Sequence, residues 1–337
     1  MPTGTTAAPH GNSISLTLAA REQHGIHFTF GEFYKTNDDT WRSETWGVVR
    51  SAVTMGVYTE YLDRQMGFPD LVEERKKQLR RIATLRGREV LAFAAALNKG
   101  RSAISINYSD LLPIHDQIEN LKGKELDLIL ETPGGSGEAA EDIVRLLRGR
   151  FHQLGVIVPG WAKSAGTIIT MAADEILMGP LSGLGPIDAQ ISWQGKIFSA
   201  DALLEGFEKI KVEVQSSGSL NRAYIPILQG ISPGELQSAQ NALDFAKKLV
   251  TDWLAQFKFH DWTTHSSTGA SVTDDERRTR AKEIADQLCD HKHWLTHGRS
   301  IRLDDLQKMR LRVTDYSKDA DLADAIGRYY TLLQMTF

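Results

Sequence analysis

The chain has one cysteine, Cys289, in 337 residues, so an internal disulfide is excluded and a reducing compartment fits. It has no run approaching the ~18–20 apolar residues of a membrane span. Its first residues, 1–15, show no charged-then-apolar leader pattern. It also lacks a large excess of either charge: 39 Lys and Arg against 43 Asp and Glu leave a net −4, which makes no electrostatic case for nucleic acid or an anionic membrane. The basic run from Glu74 to Arg81 alternates with apolar residues and reads as a solvated helix face. Internal repeats and long low-complexity tracts are missing too. With 41% hydrophobic and 24% charged residues, what remains is an ordinary globular composition, long enough to bury a large core. The expectation is a cytoplasmic protein with no nucleic-acid partner and no membrane span.

Along the chain, residues 1–15 are rich in Thr, Ser, Gly and Ala and are expected to be disordered. Residues 16–80 carry Phe28, Phe30, Phe33, Tyr34, Trp41 and Trp46 and read as an aromatic, then helical, extension without chemistry of its own. Residues 81–337 are expected to form the functional domain. Within it, Glu89–Phe93, Leu126–Leu130 and Val156–Val158 are strand-like, and helices are expected over Asp110–Leu121, Glu138–Arg148 and from Ala165 to about Ala173. Strand–helix alternation of this kind implies a parallel sheet, with ligands at the carboxyl ends of the strands. The C-terminal part reads as mostly helical. Ser232-Pro233-Gly234-Glu235 and Thr273 with Glu276 are capping boxes, and the first opens a helix with an apolar stripe from Leu236 to Phe257.

Two small-residue turns follow two of these strands. Thr132-Pro133-Gly134-Gly135 ends the first, and a Gly-Gly turn frees backbone N–H groups to face a ligand. Ala162-Lys163-Ser164-Ala165-Gly166-Thr167 ends the second, with a serine between small neighbours at a strand-to-helix elbow. These are the parts of an acyl-transfer site, an oxyanion hole (Gly134, Gly135, Ala165) and a nucleophile (Ser164). Taken alone, Ser164 reads more simply as a helix N-cap.

Four segments, Glu131–Gly135, Ala162–Thr167, Ala173–Met178 and Leu184–Gln190, resemble the serine dehydrogenase proteinase family. That family is a branch of the Clp-protease and signal-peptide-peptidase-like serine peptidases with the crotonase fold. The likeness runs from near Arg86 to near Val313, roughly two thirds of the chain. It implies an α/β Clp/crotonase-like fold, a serine endopeptidase acting on peptide or unfolded protein, no cofactor, and a homo-oligomer. Relatives often carry an N-terminal membrane segment, for which this sequence offers no candidate stretch.

The general base is open at this level. Where Clp-type peptidases have histidine this chain has Asp188, and where they have the acid it has His297, so the resemblance implies Ser164–His297–Asp188 with two roles exchanged. The signal-peptide-peptidase branch uses a lysine further on; the matching segment Ser219–Tyr224 has none, leaving Lys196, Lys209 and Lys211 as alternative bases. Lys163 adjoins Ser164, and adjacent side chains diverge. Asp188 alone reads as an Asx turn, Glu131 as a surface cap in preference to a pocket-lining residue, and Asp174 and Glu175, late in the helix after Ser164, as facing solvent or capping a turn. Cys289, His291, His293 and His297 have metal-like spacing, but no second ligand cluster supports it and no metal is expected. Rival functions are a crotonase-type acyl-CoA thioester enzyme and an inactive peptide-binding scaffold.

Overall fold

The computed structural model describes residues 33–35, 41–43, 56–97, 104–193 and 196–337. The expected disorder of residues 1–15, and most of the aromatic extension, lie outside the described residues. The chain divides into units 1–65 and 66–337. In the first, β1 (Phe33–Lys35) and β2 (Trp41–Ser43) pair antiparallel, and helix α1 spans Val57–Asp63. The second opens with α2 (Phe68–Arg86), which runs through the boundary expected at residue 80 and stops at Gly87, where φ is +64°.

The remaining elements alternate as the sequence pattern implies. They run β3 (Glu89–Ala94), α3 (Leu111–Glu119), β4 (Glu125–Glu131), α4 (Gly137–Arg150), β5 (Gln153–Val158), β6 (Trp161–Ala162), α5 (Ala165–Met171) and β7 (Glu175–Met178). Then come β8 (Gly183–Leu184), β9 (Gln190–Trp193), β10 (Lys196–Ser199), α6 (Ala200–Ser217), α7 (Ile225–Leu228) and α8 (Pro233–Trp253). Helices α9 (Asp274–Leu288), α10 (His291–Trp294) and α11 (Leu303–Lys308), strand β11 (Thr314–Asp315) and α12 (Ala320–Thr336) complete the chain.

Five strands form one parallel sheet in the order β11-β7-β5-β4-β3, with Val90, Asp127, Gly155 and Glu175 in one cross-strand row. The central strands are apolar almost continuously because both faces are covered. Leu126, Leu128 and Leu130 of β4 join the large core formed with α3, α4, α5, α8 and α9. Ile129, Ile157 and Leu177 point the other way, onto Ile82 of α2 and Ile326 and Tyr329 of α12. This is an α/β fold with a parallel sheet between two layers of helix, as the alternation predicts. Both capping boxes form: Ser232 Oγ accepts from Glu235 N at 3.3 Å and Thr273 Oγ1 from Glu276 N at 3.2 Å. The apolar stripe of α8 is buried at Ala239, Leu243, Ala246, Val250 and Trp253.

One expectation is corrected. Asp174 and Glu175 are not late in a helix, because α5 ends at Met171 and β7 begins at Glu175, and both are partly buried and paired. Asp174 accepts from Arg148 and from Leu154 N, both at 2.7 Å, and Glu175 accepts from Arg86 at 2.5 Å. Arginines from the two flanking helices tie down the strand entry.

Candidate active site

The two turns predicted from small residues lie side by side. Thr132 N donates to Trp161 O at 2.8 Å and Lys163 N to Thr132 O at 3.0 Å, so the chain leaving β4 is laced to β6 just before the elbow. At the elbow Ser164 takes φ +50° and ψ −112°, a conformation L-residues rarely hold, costing on the order of 1–3 kcal/mol. It stands at the N-cap position of α5, yet its side chain makes no capping hydrogen bond. Ser164 thus occupies the N-cap position without making the capping hydrogen bond that the simpler reading requires.

Close approach explains the diglycine. A Cβ on Gly134 would lie 2.7 Å from Ser164 Cβ and 2.9 Å from Lys163 O, and one on Gly135 would lie 2.3 Å from Ile106 O. Both glycines also have positive φ, +103° and +154°. The expected set of amides separates into two kinds. Gly134 N–H donates inside the turn to Thr132 Oγ1 at 3.1 Å, whereas the N–H groups of Gly135 and Ala165 have no acceptor among the described residues.

A cleft of about 760 Å3 at this end of the sheet is lined by Gly134, Gly135, Ser164, Ala165, Asp188 and His297, with Phe245 and Ala246 of α8 on its apolar side. Asp188 is 5% exposed and follows Ile187, whose N–H donates to Leu288 O at the end of α9 at 3.0 Å. Ser199 Oγ donates to Asp188 Oδ1 at 2.6 Å and Gln190 Nε2 to Oδ2 at 2.9 Å, so the carboxylate is oriented from β9 and β10 rather than left in an Asx turn. His297 Nδ1 lies 3.7 Å from Asp188 Oδ2, ion-pair range but longer than a hydrogen bond, and this buried nitrogen has no other partner. Burial alone would raise the Asp188 pKa; the imidazole and the Ser199 hydroxyl outweigh it and hold the carboxyl below its usual range.

Lys163 diverges from Ser164, as neighbours must, but its destination was not visible in the sequence. Its ammonium donates to Leu184 O at 2.9 Å, Arg299 O at 3.1 Å and Ser300 Oγ at 2.8 Å. One side chain thus clamps β8, upstream of Asp188, to the segment just after His297, where Leu184 and Ile301 also pair. Burial, with a smaller push from Arg302, lowers the Lys163 pKa to about 8.

The alternative bases lie elsewhere. Lys209 pairs with Glu205 and Lys211 with Glu208, each at 3.0 Å on the exposed side of α6, and neither lines the cleft. The Lys196 side chain lies outside the described residues. Glu131 is not a surface cap: it is fully buried, accepting from Trp161 N at 2.9 Å and from Tyr330 of α12 at 3.3 Å. Burial pushes its pKa up to about 7. Cys289 is buried in the core, burial raising its thiol to about 12. Among the described residues no three His, Cys, Asp or Glu side chains converge as metal ligands would.

A family model described as ClpP-like SDH-type serine proteinase matches residues 57–221. The match spans just under half of the chain, and this segment is similar to that family. The matched segment holds both turns, Ser164, Lys163 and Asp188, and it ends before His297, so it starts and stops earlier than the likeness read from the motifs. Two curated relatives are uncharacterized proteins of Methanocaldococcus jannaschii. MJ1495 is 33% identical over 192 residues, 53% of this chain and 61% of that protein. MJ0137 is 46% identical over 70 residues, 21% of this chain and 24% of that protein. The chain therefore spans less than two thirds of either relative. Among solved structures, the 1510-N membrane-bound stomatin-specific protease with a substrate peptide aligns over 69% of this chain and 76% of its own, at 15% identity and TM-score 0.39. ClpP1 from Listeria monocytogenes aligns over 69% and 94%, at 11% identity and TM-score 0.34. Among the described residues no helix is long and apolar enough to cross a membrane.

Proposed function

We propose that the chain is a serine endopeptidase with Ser164 as nucleophile, His297 as general base and Asp188 as the group that orients the imidazole. The observation that carries this reading is Ser164 itself, held at φ +50° with no hydrogen-bond partner for its hydroxyl among the described residues, in the cleft that His297 and Asp188 also line. With Nδ1 turned to the carboxylate, Nε2 is the nitrogen left to take the Ser164 proton.

Attack of Ser164 Oγ on a peptide carbonyl transfers the hydroxyl proton to His297 and makes a tetrahedral oxyanion. The free amides of Gly135 and Ala165 are its donors, each worth about 3 kcal/mol in such sites. Collapse expels the amine, which takes the proton from His297. Water, deprotonated by the same ring, then releases the acid and restores Ser164. Gly134 contributes by close packing rather than as a donor. The cleft suits an extended segment of peptide or unfolded protein, and the proposal includes a cytoplasmic homo-oligomer that needs no cofactor or metal.

A fluorophosphonate probe tests the assignment, since only an activated serine reacts. Labelling should vanish in Ser164→Ala and fall at least a hundredfold in His297→Ala. Labelling retained in Ser164→Ala would end the peptidase reading, whereas retention in His297→Ala alone would remove the base and leave the nucleophile. Turnover of acyl-CoA thioesters in place of peptides would move the chain to the thioester enzymes.

A further inference from the structure

The sheet has a second cavity at its other end. It measures about 690 Å3, shares no lining residue with the cleft, and is bordered by Gln153, Glu175 and Thr314, the first residues of β5, β7 and β11. Phe259 and Trp262 line it, with ring centroids 5.9 Å apart and planes at 62°. Lys258, Arg280, Arg310 and Arg312 line it as well.

The charges in this cavity do not balance internally. Two of its acids are paired with arginines, Asp174 with Arg148 at 2.7 Å and Glu175 with Arg86 at 2.5 Å, and the third, Asp261, is exposed to solvent on the rim. Arg280 is held by Glu283 and the Met309 carbonyl. Lys258 is half-buried, and its one acceptor among the described residues is the backbone Asp174 O at 2.9 Å, so two ammonium N–H groups are unused. The Arg310 and Arg312 side chains have no hydrogen-bond or ion-pair partner among the described residues. Burial lowers the Lys258 pKa to about 8; Glu175 and Asp174 oppose the shift and Arg312 adds to it. Three cations thus face a recess walled by two aromatic rings, and the two carboxylates nearest Lys258, Asp174 and Glu175, are shared with Arg148 and Arg86.

We infer that this cavity binds a small phosphorylated compound carrying a planar ring, of nucleoside-monophosphate size. The phosphate is taken by Lys258, Arg310 and Arg312, and the ring rests against Trp262 and Phe259. Guanidinium groups match phosphate geometry in bidentate pairs, and a dianionic phosphate answers three unpaired cations where a single carboxylate does not. Aromatic side chains accept any planar ring with little sequence demand on the ligand. The volume is within the ~300–1,000 Å3 range of small-molecule sites. The inference stands apart from the peptidase chemistry, since the two sites occupy opposite ends of the strands.

Titration calorimetry on the full chain with AMP, adenosine and inorganic phosphate decides it. AMP should bind saturably, with adenosine and phosphate each at least tenfold weaker. Arg312→Glu, at an exposed residue without a partner, should weaken AMP at least tenfold and leave the melting temperature unchanged. Ser164→Ala should bind AMP as the parent does, whatever becomes of the peptidase assignment. Absence of saturable AMP binding, or AMP binding that survives Arg312→Glu, would overturn the site. Phosphate binding as tightly as AMP would overturn the ligand class.

Discussion

The two ends of the five-stranded sheet are built by different physics. At the amino ends, charge does the holding: fully buried Asp127 receives Arg86 at 2.6 Å and Arg88 at 3.4 Å, and Glu175 is bound by the same two arginines. At the carboxyl ends, backbone geometry does it. Two glycines at positive φ, a serine at φ +50° and amides without acceptors surround a cleft. The first end is saturated around its buried carboxylates, so damage there is a loss of stability. The second is left unsatisfied in polar groups and strained in backbone, a state that persists only where the surroundings enforce it. Stability and chemistry are therefore separable by substitution.

The sharpest test of that separation is Arg86→Met. It leaves Asp127 buried with only the longer Arg88 contact, and breaking such a pair typically costs about 3–5 kcal/mol. Urea unfolding should show that loss, while hydrolysis or probe labelling per folded molecule stays within about twofold of the parent. A comparable fall in activity per folded molecule would break the comparison. Gly135→Ala is the mirror experiment. Its Cβ would meet Ile106 O at 2.3 Å, displacing the proposed donor amide, so activity should drop about 100–1,000-fold. The loss should appear in kcat more than in KM, with a smaller change in unfolding midpoint.

Lys163→Met comes next. The ammonium that clamps Leu184 O to Arg299 O fixes the approach of the His297 segment to the segment that carries Asp188. A shift of about 1 Å in such a group costs up to about 100-fold, so kcat should fall about 10–100-fold with KM little changed. In the parent, turnover should decline above pH 8 as Lys163, lowered to about 8, loses its proton and its charge-assisted contacts weaken. That alkaline limb should be missing from the variant's residual activity. A parent profile flat to pH 10 would separate the clamp from catalysis.

What the sequence made legible follows from what is local. Ser164 between Ala and Gly, and the Gly-Gly after an apolar strand, announce an elbow and a tight turn because those conformations demand small residues. The parallel sheet is legible because Leu126–Leu130 has no polar side beyond Asp127. The hidden parts depend on distant chain. Lys163 finds acceptors at Arg299 and Ser300, Glu131 is buried by Tyr330 on the last helix, and Asp127 is matched by Arg86 from α2. The distinction between the two glycine amides turns on one threonine hydroxyl, which a motif does not encode. A carboxylate at a strand end reads as solvent-facing until the helix that covers it is known.

Glu131 and Asp188 sharpen the contrast within the carboxyl end, as two buried carboxylates with opposite shifts. Asp188 has a histidine and a hydroxyl for its charge and titrates low. Burial pushes Glu131 up to about 7, because the Trp161 and Gly160 amides and the Tyr330 phenol offset it only in part. Because the folded-state pKa lies above the unfolded value, the stability that protonated Glu131 contributes is fully present below pH ~4.5 and lost as pH rises through 7. Glu131→Gln keeps a neutral side chain at every pH. It can accept from Trp161 N through its carbonyl and donate to the Tyr330 oxygen through its amide. The variant should therefore match the parent near pH 4.5 and exceed it at pH 8 by up to about 3 kcal/mol, read from urea midpoints at the two pH values. A difference that does not change with pH would mean Glu131 is ionised in the folded chain, which its surroundings disfavour: the nearest partner besides the amides is a phenol, and a phenol cannot neutralise a carboxylate.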